Sequence, residues 1–158
     1  MTTSLKRAGT VLLSVLLLCT LALSAGAASK LGVGVKFWKT DSDKESMANS
    51  GIDTSREASL TRQSNGTYTL TLPIQQVSKM GVTGYLTGLT IGDVTYDGTL
   101  TGDFNKATAV LTIKNQPASV LTGSDVNKSV LVTCNIQMDL QVLGEINTSA
   151  RMCIWNQK

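Results

Sequence analysis

One stretch near the C-terminus, from Val130 to Val142, constrains the fold more than any other part of the chain. Apolar residues occupy every second position, and polar residues fill nearly all the positions between them. The apolar positions are Val130, Val132, Cys134, Ile136, Met138, Leu140 and Val142. A β-strand needs this alternation when one face packs on a core and the other meets water. Such a strand is not stable alone, so the rest of the chain must supply pairing partners and a second apolar face.

The remaining sequence predicts further short strands, and together they are typical of a β-sandwich. The expected strands run from Lys30 to Trp38, around Ala58 and Leu60, from Tyr68 to Ile74, from Val82 to Leu86, from Leu89 to Ile91, from Val94 to Tyr96, from Ala107 to Ile113, and from Ala150 to Trp155. Asn65-Gly66 predicts a hairpin turn, because both residues accept a positive φ. We therefore expect an all-β sandwich of about eight strands, immunoglobulin-like in pattern, with one short helix between Lys44 and Asn49.

Residues 1–27 have the composition of a signal peptide. Lys6 and Arg7 form a basic start, Val11 to Leu23 is apolar, and Ala25-Gly26-Ala27 supplies small residues for cleavage. The apolar core is shorter than the roughly 20 residues that span a bilayer. We expect a protein exported to the cell surface or medium, with residues 28–158 forming one domain and no transmembrane segment in the mature chain.

The charge balance and the residue types exclude several classes of function. Lys6 and Arg7 belong to the signal, so 12 of the 14 basic residues remain against 11 acidic ones. Nothing forms a basic stripe, which argues against nucleic acid as a partner. The chain contains no histidine, and no catalytic or metal-binding motif is present. We expect a protein that is not an enzyme and has no metal site of its own.

Two cysteines, Cys134 and Cys153, remain in the mature chain. If the last strand pairs with the Val130–Val142 strand and both apolar sets share one face, Cys134 points inward and Cys153 outward. A direct bridge would place Arg151 on the core face opposite Ile136. We predict two free thiols, with a disulfide as the alternative that export allows.

Four segments resemble the NEAT (near-iron-transporter) family, in the same order along the chain. They are Lys36-Phe37-Trp38-Lys39, Glu45-Ser46-Met47-Ala48-Asn49, the Ala58-to-Leu72 hairpin, and Met80-Gly81-Val82-Thr83-Gly84-Tyr85-Leu86. The resemblance implies an immunoglobulin-like sandwich of the bacterial surface. Many such domains bind haem between a short helix and the last β-hairpin. Here that site would have Ser46 and Met47 on one side, and Val130–Val142 with Ala150–Trp155 on the other.

The family's axial ligand is missing from this sequence. Haem-binding members place a tyrosine on the last strand and another four residues later, whereas no tyrosine follows Tyr96 here. Iron would need a donor from Met47, Met138, Met152 or Cys153. We therefore expect Ser46, Met47, Met138 and Met152 to line the cofactor site. The alternatives are core packing for the methionines and a helix cap for Ser46.

These observations leave more than one function open. The resemblance implies a module that binds haem for iron acquisition, with haem or a haem-carrier protein as partner. The alternative is a structural or adhesive sandwich that has lost haem binding and contacts a cell-wall or surface component. A glycan-binding sandwich is less supported, because aromatic residues are scarce. Trp38 and Trp155 fall on the outer face of their strands, where they either bind a partner or cover the sheet.

Overall fold

The computed structural model describes residues 28–79, 81–138 and 144–158. The expected signal peptide, and Leu140 and Val142 of the predicted strand, lie outside the described residues. No helix within the described ranges is long and apolar enough to cross a membrane.

The described chain folds into nine strands and three short 3-10 helices. The strands are β1 (Lys30–Trp38), β2 (Ala58–Arg62), β3 (Tyr68–Pro73), β4 (Val77–Lys79), β5 (Val82–Ile91), β6 (Val94–Thr101), β7 (Val110–Gln116), β8 (Val130–Met138) and β9 (Glu145–Asn156). The 3-10 helices are Met47–Gly51, Ala118–Val120 and Val126–Lys128. The all-β prediction is confirmed, and the predicted short helix is present as a 3-10 helix.

All pairings between these strands are antiparallel, and they form one continuous ladder. The order is β4-β5-β6-β7-β3-β2-β1-β9-β8, and β8 also pairs with β5. This last pairing closes the ladder into a ring around a single core. Of the nine described strands, only β4 is not part of this ring, since it pairs with β5 alone. The pairing of β8 with β5 is interrupted between Leu86 and Gly88, where the register shifts.

The apolar residues that alternate along β8 face the core, as the sequence predicts. Val132 and Cys134 are fully buried, and Val130 and Ile136 pack against the core. On β9, Ala150, Met152 and Ile154 are also buried. They belong to one buried cluster that also includes Phe37, Leu60, Leu70, Leu72, Leu89, Leu111 and Ile113. The two apolar sets therefore share one dry interior, as alternating strands require.

The Asn65-Gly66 hairpin forms as predicted, between β2 and β3. Gly66 has a φ of +83°, and Asn65 Oδ1 accepts a hydrogen bond from the Thr67 backbone N–H at 3.0 Å. Pro73 ends β3, which agrees with its missing N–H.

Several strands differ from their predicted bounds, and for two of them the glycines and a turn give the reason. The segment from Val82 to Ile91 is one strand rather than two. Gly84 and Gly88 do not break it, because they are the positions where atoms of neighbouring strands come too close for a side chain. A Cβ on Gly88 would lie 2.7 Å from the Tyr96 carbonyl oxygen. Strand β7 begins at Val110 rather than Ala107, because Ala107 has a φ of 51° and lies in a turn.

Cys134 and Cys153 are both free and buried. Cys134 faces the core and pairs across β8–β9 with Thr148. Cys153 lies on the opposite face, as predicted, but the loop before Val126–Lys128 covers it. Its Sγ lies 3.5 Å from the Asp125 carbonyl oxygen.

Candidate ligand-binding slot

The 3-10 helix Met47–Gly51 is held against β1 by one asparagine side chain. Asn49 Oδ1 accepts from the Phe37 backbone N–H at 2.8 Å, and Asn49 Nδ2 donates to the Phe37 carbonyl at 2.7 Å. The Ser46 N–H donates to the same carbonyl at 3.0 Å. The ladder between β1 and β2 ends at Val33. Asn49 therefore takes the place of a strand partner further along β1.

Ser46 caps this helix. Its Oγ accepts a hydrogen bond from the Ala48 N–H at 3.3 Å, which satisfies one of the amides left free at a helix start. The next residue, Met47, has 59% of its surface exposed. A large apolar side chain is thus presented to solvent on a helix whose backbone is fixed.

The loop before the helix is held to β9 by Arg151. The guanidinium donates to the Lys39 and Ser42 carbonyls, each at 2.9 Å, and to Asp43 Oδ1 at 2.7 Å. A loop held by three hydrogen bonds from one planar group has little freedom to move relative to the strand.

We define the candidate slot as the region between the Met47–Gly51 helix and the first part of β9. Strand β9 pairs with β1 only from Arg151 to Asn156, whereas it pairs with β8 from Glu145 to Met152. In the described structure the segment Glu145–Ala150 therefore has a free edge on the side towards the helix. Ile146 points to the same face of β9 as the core residues, but 39% of its surface is exposed. Its partner on β8, Ile136, is half-buried.

The four predicted cofactor residues do not all meet. Ser46 and Met47 lie together beside Phe37. Met152 is fully buried and pairs with Phe37 and Val130. Met138 is half-buried at the far end of β8, opposite Gly84. At about 3.3 Å per residue, Met138 and Val130 are separated by roughly 26 Å along the strand. Met138 and Met152 therefore cannot serve the same iron.

The two cysteine thiols are poorly placed to bind iron in this structure. Burial raises the pKa of Cys134 to about 12, so the thiolate that binds metals is not formed near neutral pH. Cys153 is fully buried as well. Among the described residues, no group of three or more acidic, cysteine or histidine side chains could hold a metal ion. Of the four candidate residues, Met47 is the most exposed, whereas the sulfur of Met138 lies against Gly84 of β5.

The sequence pattern does not identify three contributors to this site. Asn49 belongs to the Glu45–Asn49 segment, but its pairing with Phe37 depends on tertiary structure. Arg151 falls on the outer face of the predicted last strand, which is a usable signal for a contact outside the core. Ile146 precedes the predicted final strand, because β9 begins earlier than the apolar pattern indicates.

Comparison with known proteins gives a match at the level of structure. No family model and no curated protein matches the sequence. The NEAT5 domain of IsdX2, a B. anthracis hemophore solved in complex with heme, superposes with a TM-score of 0.53 at 10% identity. The match covers 84% of this chain and 99% of that domain. The fold is that of a NEAT domain.

A second NEAT structure gives the same result. A point mutant of IsdX2-NEAT5, also in complex with heme, has a TM-score of 0.53 and 10% identity over 84% of this chain and 98% of that one. At this identity the likeness concerns the path of the backbone. What this NEAT-like fold binds has to be argued from its own side chains.

Both of these NEAT structures are in complex with heme, and two features of this chain's own side chains bear on such a ligand. Met47 exposes apolar surface on the helix, and Ile146 does so on the first part of β9. Met47 also carries a thioether, which is an established type of haem-iron donor. The segment Glu145–Ala150 of β9 contains no tyrosine or histidine.

Proposed function

We propose that this protein is an exported binding module that takes up haem, or a related tetrapyrrole, between the Met47–Gly51 helix and the end of the β8–β9 hairpin. The observation that carries the proposal is the exposure of Met47 on the helix and of Ile146 on the first part of β9. A flat apolar ligand that covers these large side chains removes their apolar surface from water, which favours binding.

Each slot residue has a role in this proposal. Ser46 fixes the start of the helix, and its position suits a contact with a propionate. Met47 and Ile146 pack on the two faces or edges of the ring. Arg151 keeps the loop from Lys39 to Asp43 in place. Met152 keeps a packing role, because it is fully buried.

Bound haem supplies an iron that accepts one or two axial donors. The thioether of Met47 is the donor we propose first, because its side chain is exposed at the slot. Met138 is the second candidate, since it is only half-buried; its sulfur would have to move from its place against Gly84.

A haemin titration followed by absorbance tests the proposal. We expect saturable binding of one haemin per chain. Met47→Ala and Ile146→Ser should each weaken binding about 10- to 100-fold, because each removes roughly 1.5–3 kcal/mol of apolar contact. Leu131→Ser is the matched control: Leu131 is 63% exposed on the outer face of the same hairpin, and this change should leave the affinity unaltered. Equal losses in all three variants would indicate nonspecific adsorption of haemin.

The role of the thioether is tested separately. Met47→Leu keeps the size of the side chain and removes the sulfur. If Met47 binds iron, this variant alters the spectrum and affinity of the haemin complex but leaves the affinity for metal-free protoporphyrin unchanged. A haemin spectrum identical to that of the wild type would exclude Met47 as axial ligand and direct attention to Met138.

The free edge of Glu145–Ala150 favours one second candidate, an adhesive module. An exposed strand edge can pair with an extended segment of another protein. Binding to purified cell walls or surface proteins that is lost in Asn147→Pro, together with an absence of haemin binding, would favour this candidate. Proline removes the backbone N–H that strand addition requires.

A further inference from the structure

A second concave surface lies along the outer face of β1, away from the core-facing residues of the slot. It is a cleft of about 540 Å³, and its lining includes Gly34, Lys36, Glu45, Glu57, Trp155 and Gln157. A cleft of this size lies in the range of small-molecule sites, which combine apolar surface with a few polar groups.

Two glycines of β1 shape this cleft. A Cβ on Gly32 would overlap the carboxylate of Glu57, and a Cβ on Gly34 would overlap the indole of Trp155. Gly32 and Gly34 are successive positions on one face of the strand, roughly 7 Å apart. The Glu57 carboxylate and the Trp155 ring therefore lie side by side over the two glycines. They occupy the space that the side chain of any other residue at position 32 or 34 would need.

The charges around the cleft are balanced except at Glu57. Lys36 forms an ion pair with Glu45, and its Nζ lies 4.5 Å from the centroid of the Trp38 ring. Arg56 pairs with Asp53 at 2.7 Å. Glu57 makes no ion pair with any residue that the structure describes. One uncompensated carboxylate thus stands next to an indole ring.

This combination selects a particular ligand chemistry. The face of an indole attracts cations, and quaternary ammonium groups are bound in this way. A neighbouring carboxylate adds a counter-charge and disfavours anions. Lys36 does not compete for this position, since its charge is directed to Glu45 and Trp38.

We propose that the cleft binds a small organic ammonium ion, with its cationic head on the face of Trp155 and Glu57 as counter-ion. The cleft shares Asn49 of the helix with the tetrapyrrole slot, but the proposed contacts are to Trp155 and Glu57, so this proposal stands whether or not haem binds. Trp155 then has a binding role in addition to covering the outer face of the sheet.

Tryptophan fluorescence tests this proposal, because the chain contains only two tryptophans. Trp38→Phe leaves Trp155 as the single reporter. The probe is choline chloride, compared with sodium chloride at equal ionic strength. The neutral control is 3,3-dimethylbutan-1-ol, which has the same shape without the charge. We expect saturable quenching by choline, and binding of the alcohol at least about tenfold weaker.

The carboxylate is tested with Glu57→Gln, which keeps the size of the side chain and removes its charge. This change should weaken choline binding about tenfold and leave the thermal midpoint unchanged. Asp93→Asn, which removes an exposed carboxylate outside the lining of the cleft, is the comparison and should leave choline binding unchanged. Equal affinity for choline and the alcohol, or an unchanged affinity in Glu57→Gln, would overturn the proposal.

A measurement on the wild-type protein keeps the test valid if Trp38→Phe is unstable. The indole N–H resonances of Trp155 and Trp38 can be followed by NMR during the same titration. Trp155 should shift with choline, whereas Trp38 serves as an internal reference. A shift of Trp38 alone, or of neither resonance, contradicts the assigned site.

Discussion

At the scale of single residues, Asn49 is the clearest link between the helix and the sheet. Its side-chain amide matches the donor and acceptor of Phe37 in the way a neighbouring strand would. Asparagine suits this role because its amide has the same donor and acceptor pair as a peptide group. The position of Met47 therefore depends on the residue two places after it.

Replacing Asn49 should loosen the helix. Asn49→Ala removes both hydrogen bonds and leaves the Phe37 N–H without its partner, so we expect a loss of about 1–3 kcal/mol in the free energy of unfolding. Chemical denaturation measures this loss. Asn105→Ala, at an exposed turn position, is the control and should change stability by less than about 0.5 kcal/mol. Equal stabilities of the two variants would contradict the anchoring role.

The buried thiol of Cys134 makes a second prediction at this scale. Its pKa is raised to about 12 by burial, so the folded protein keeps the thiol neutral after the unfolded chain has ionised. The stability from this neutral thiol is fully present below about pH 8.5, the ordinary pKa of a cysteine, and is lost as the pH rises towards the folded value.

The measurement is the free energy of unfolding at about pH 8 and about pH 10.5, on either side of the ordinary thiol pKa, in wild type and in Cys134→Ala. We expect the decline with pH to be smaller in the variant, because the titrating group has been removed. A decline of the same size in both proteins would show that other groups cause it. In the protein that begins at residue 28, a thiol reagent should react with neither cysteine before unfolding.

The inward position of Cys134 is predictable from the sequence, whereas the contacts of Asn49 and Arg151 are not. Strand parity follows directly from alternation in the sequence. The partners of a polar side chain depend on which distant segments meet, and Arg151 contacts residues more than a hundred positions earlier.

At the scale of elements, the glycines of β5 decide how the strand passes its neighbours. The sequence predicts two short strands because Gly88 interrupts the apolar pattern. In the structure Gly88 lies at the register shift against β8 and close to the Tyr96 carbonyl. Glycine is thus required at position 88 because the neighbouring strand lies too close for a side chain, and it does not end the strand.

A matched pair of glycine substitutions tests this interpretation. Gly88→Ala should lower the free energy of unfolding by about 1–3 kcal/mol, because the new methyl group meets a backbone oxygen that cannot move aside easily. Gly51→Ala is the control, since the nearest atom to a new Cβ there is Val77 Cγ2 at 3.9 Å. It should be tolerated with little change in thermal midpoint. Similar losses in both variants would point to backbone flexibility instead.

The element that the sequence predicts least well is the one that forms the slot. Strand β9 begins at Glu145, several residues before the predicted strand, because polar residues interrupt the apolar pattern there. These residues pair with β8 on one side only. An exposed strand with one partner has little burial, so its sequence carries a weak alternation signal.

At the scale of the whole molecule, the closed ladder brings the helix and the last hairpin to the C-terminal end of β1, on its two opposite edges. Alternation and turn residues predict the all-β class and most strands. They cannot predict that β8 also pairs with β5, because strand pairing between distant segments leaves no local signal. This closure holds β8 in place, and β8 in turn holds the part of β9 that forms one side of the proposed slot.

The central claim is that this side of the fold binds a tetrapyrrole. The most direct measurement is the absorbance of the protein, beginning at residue 28, during titration with haemin. We predict a shifted Soret band that saturates at one haemin per chain and is weakened by Ile146→Ser but not by Leu131→Ser. A spectrum that remains that of free haemin throughout the titration would contradict the claim.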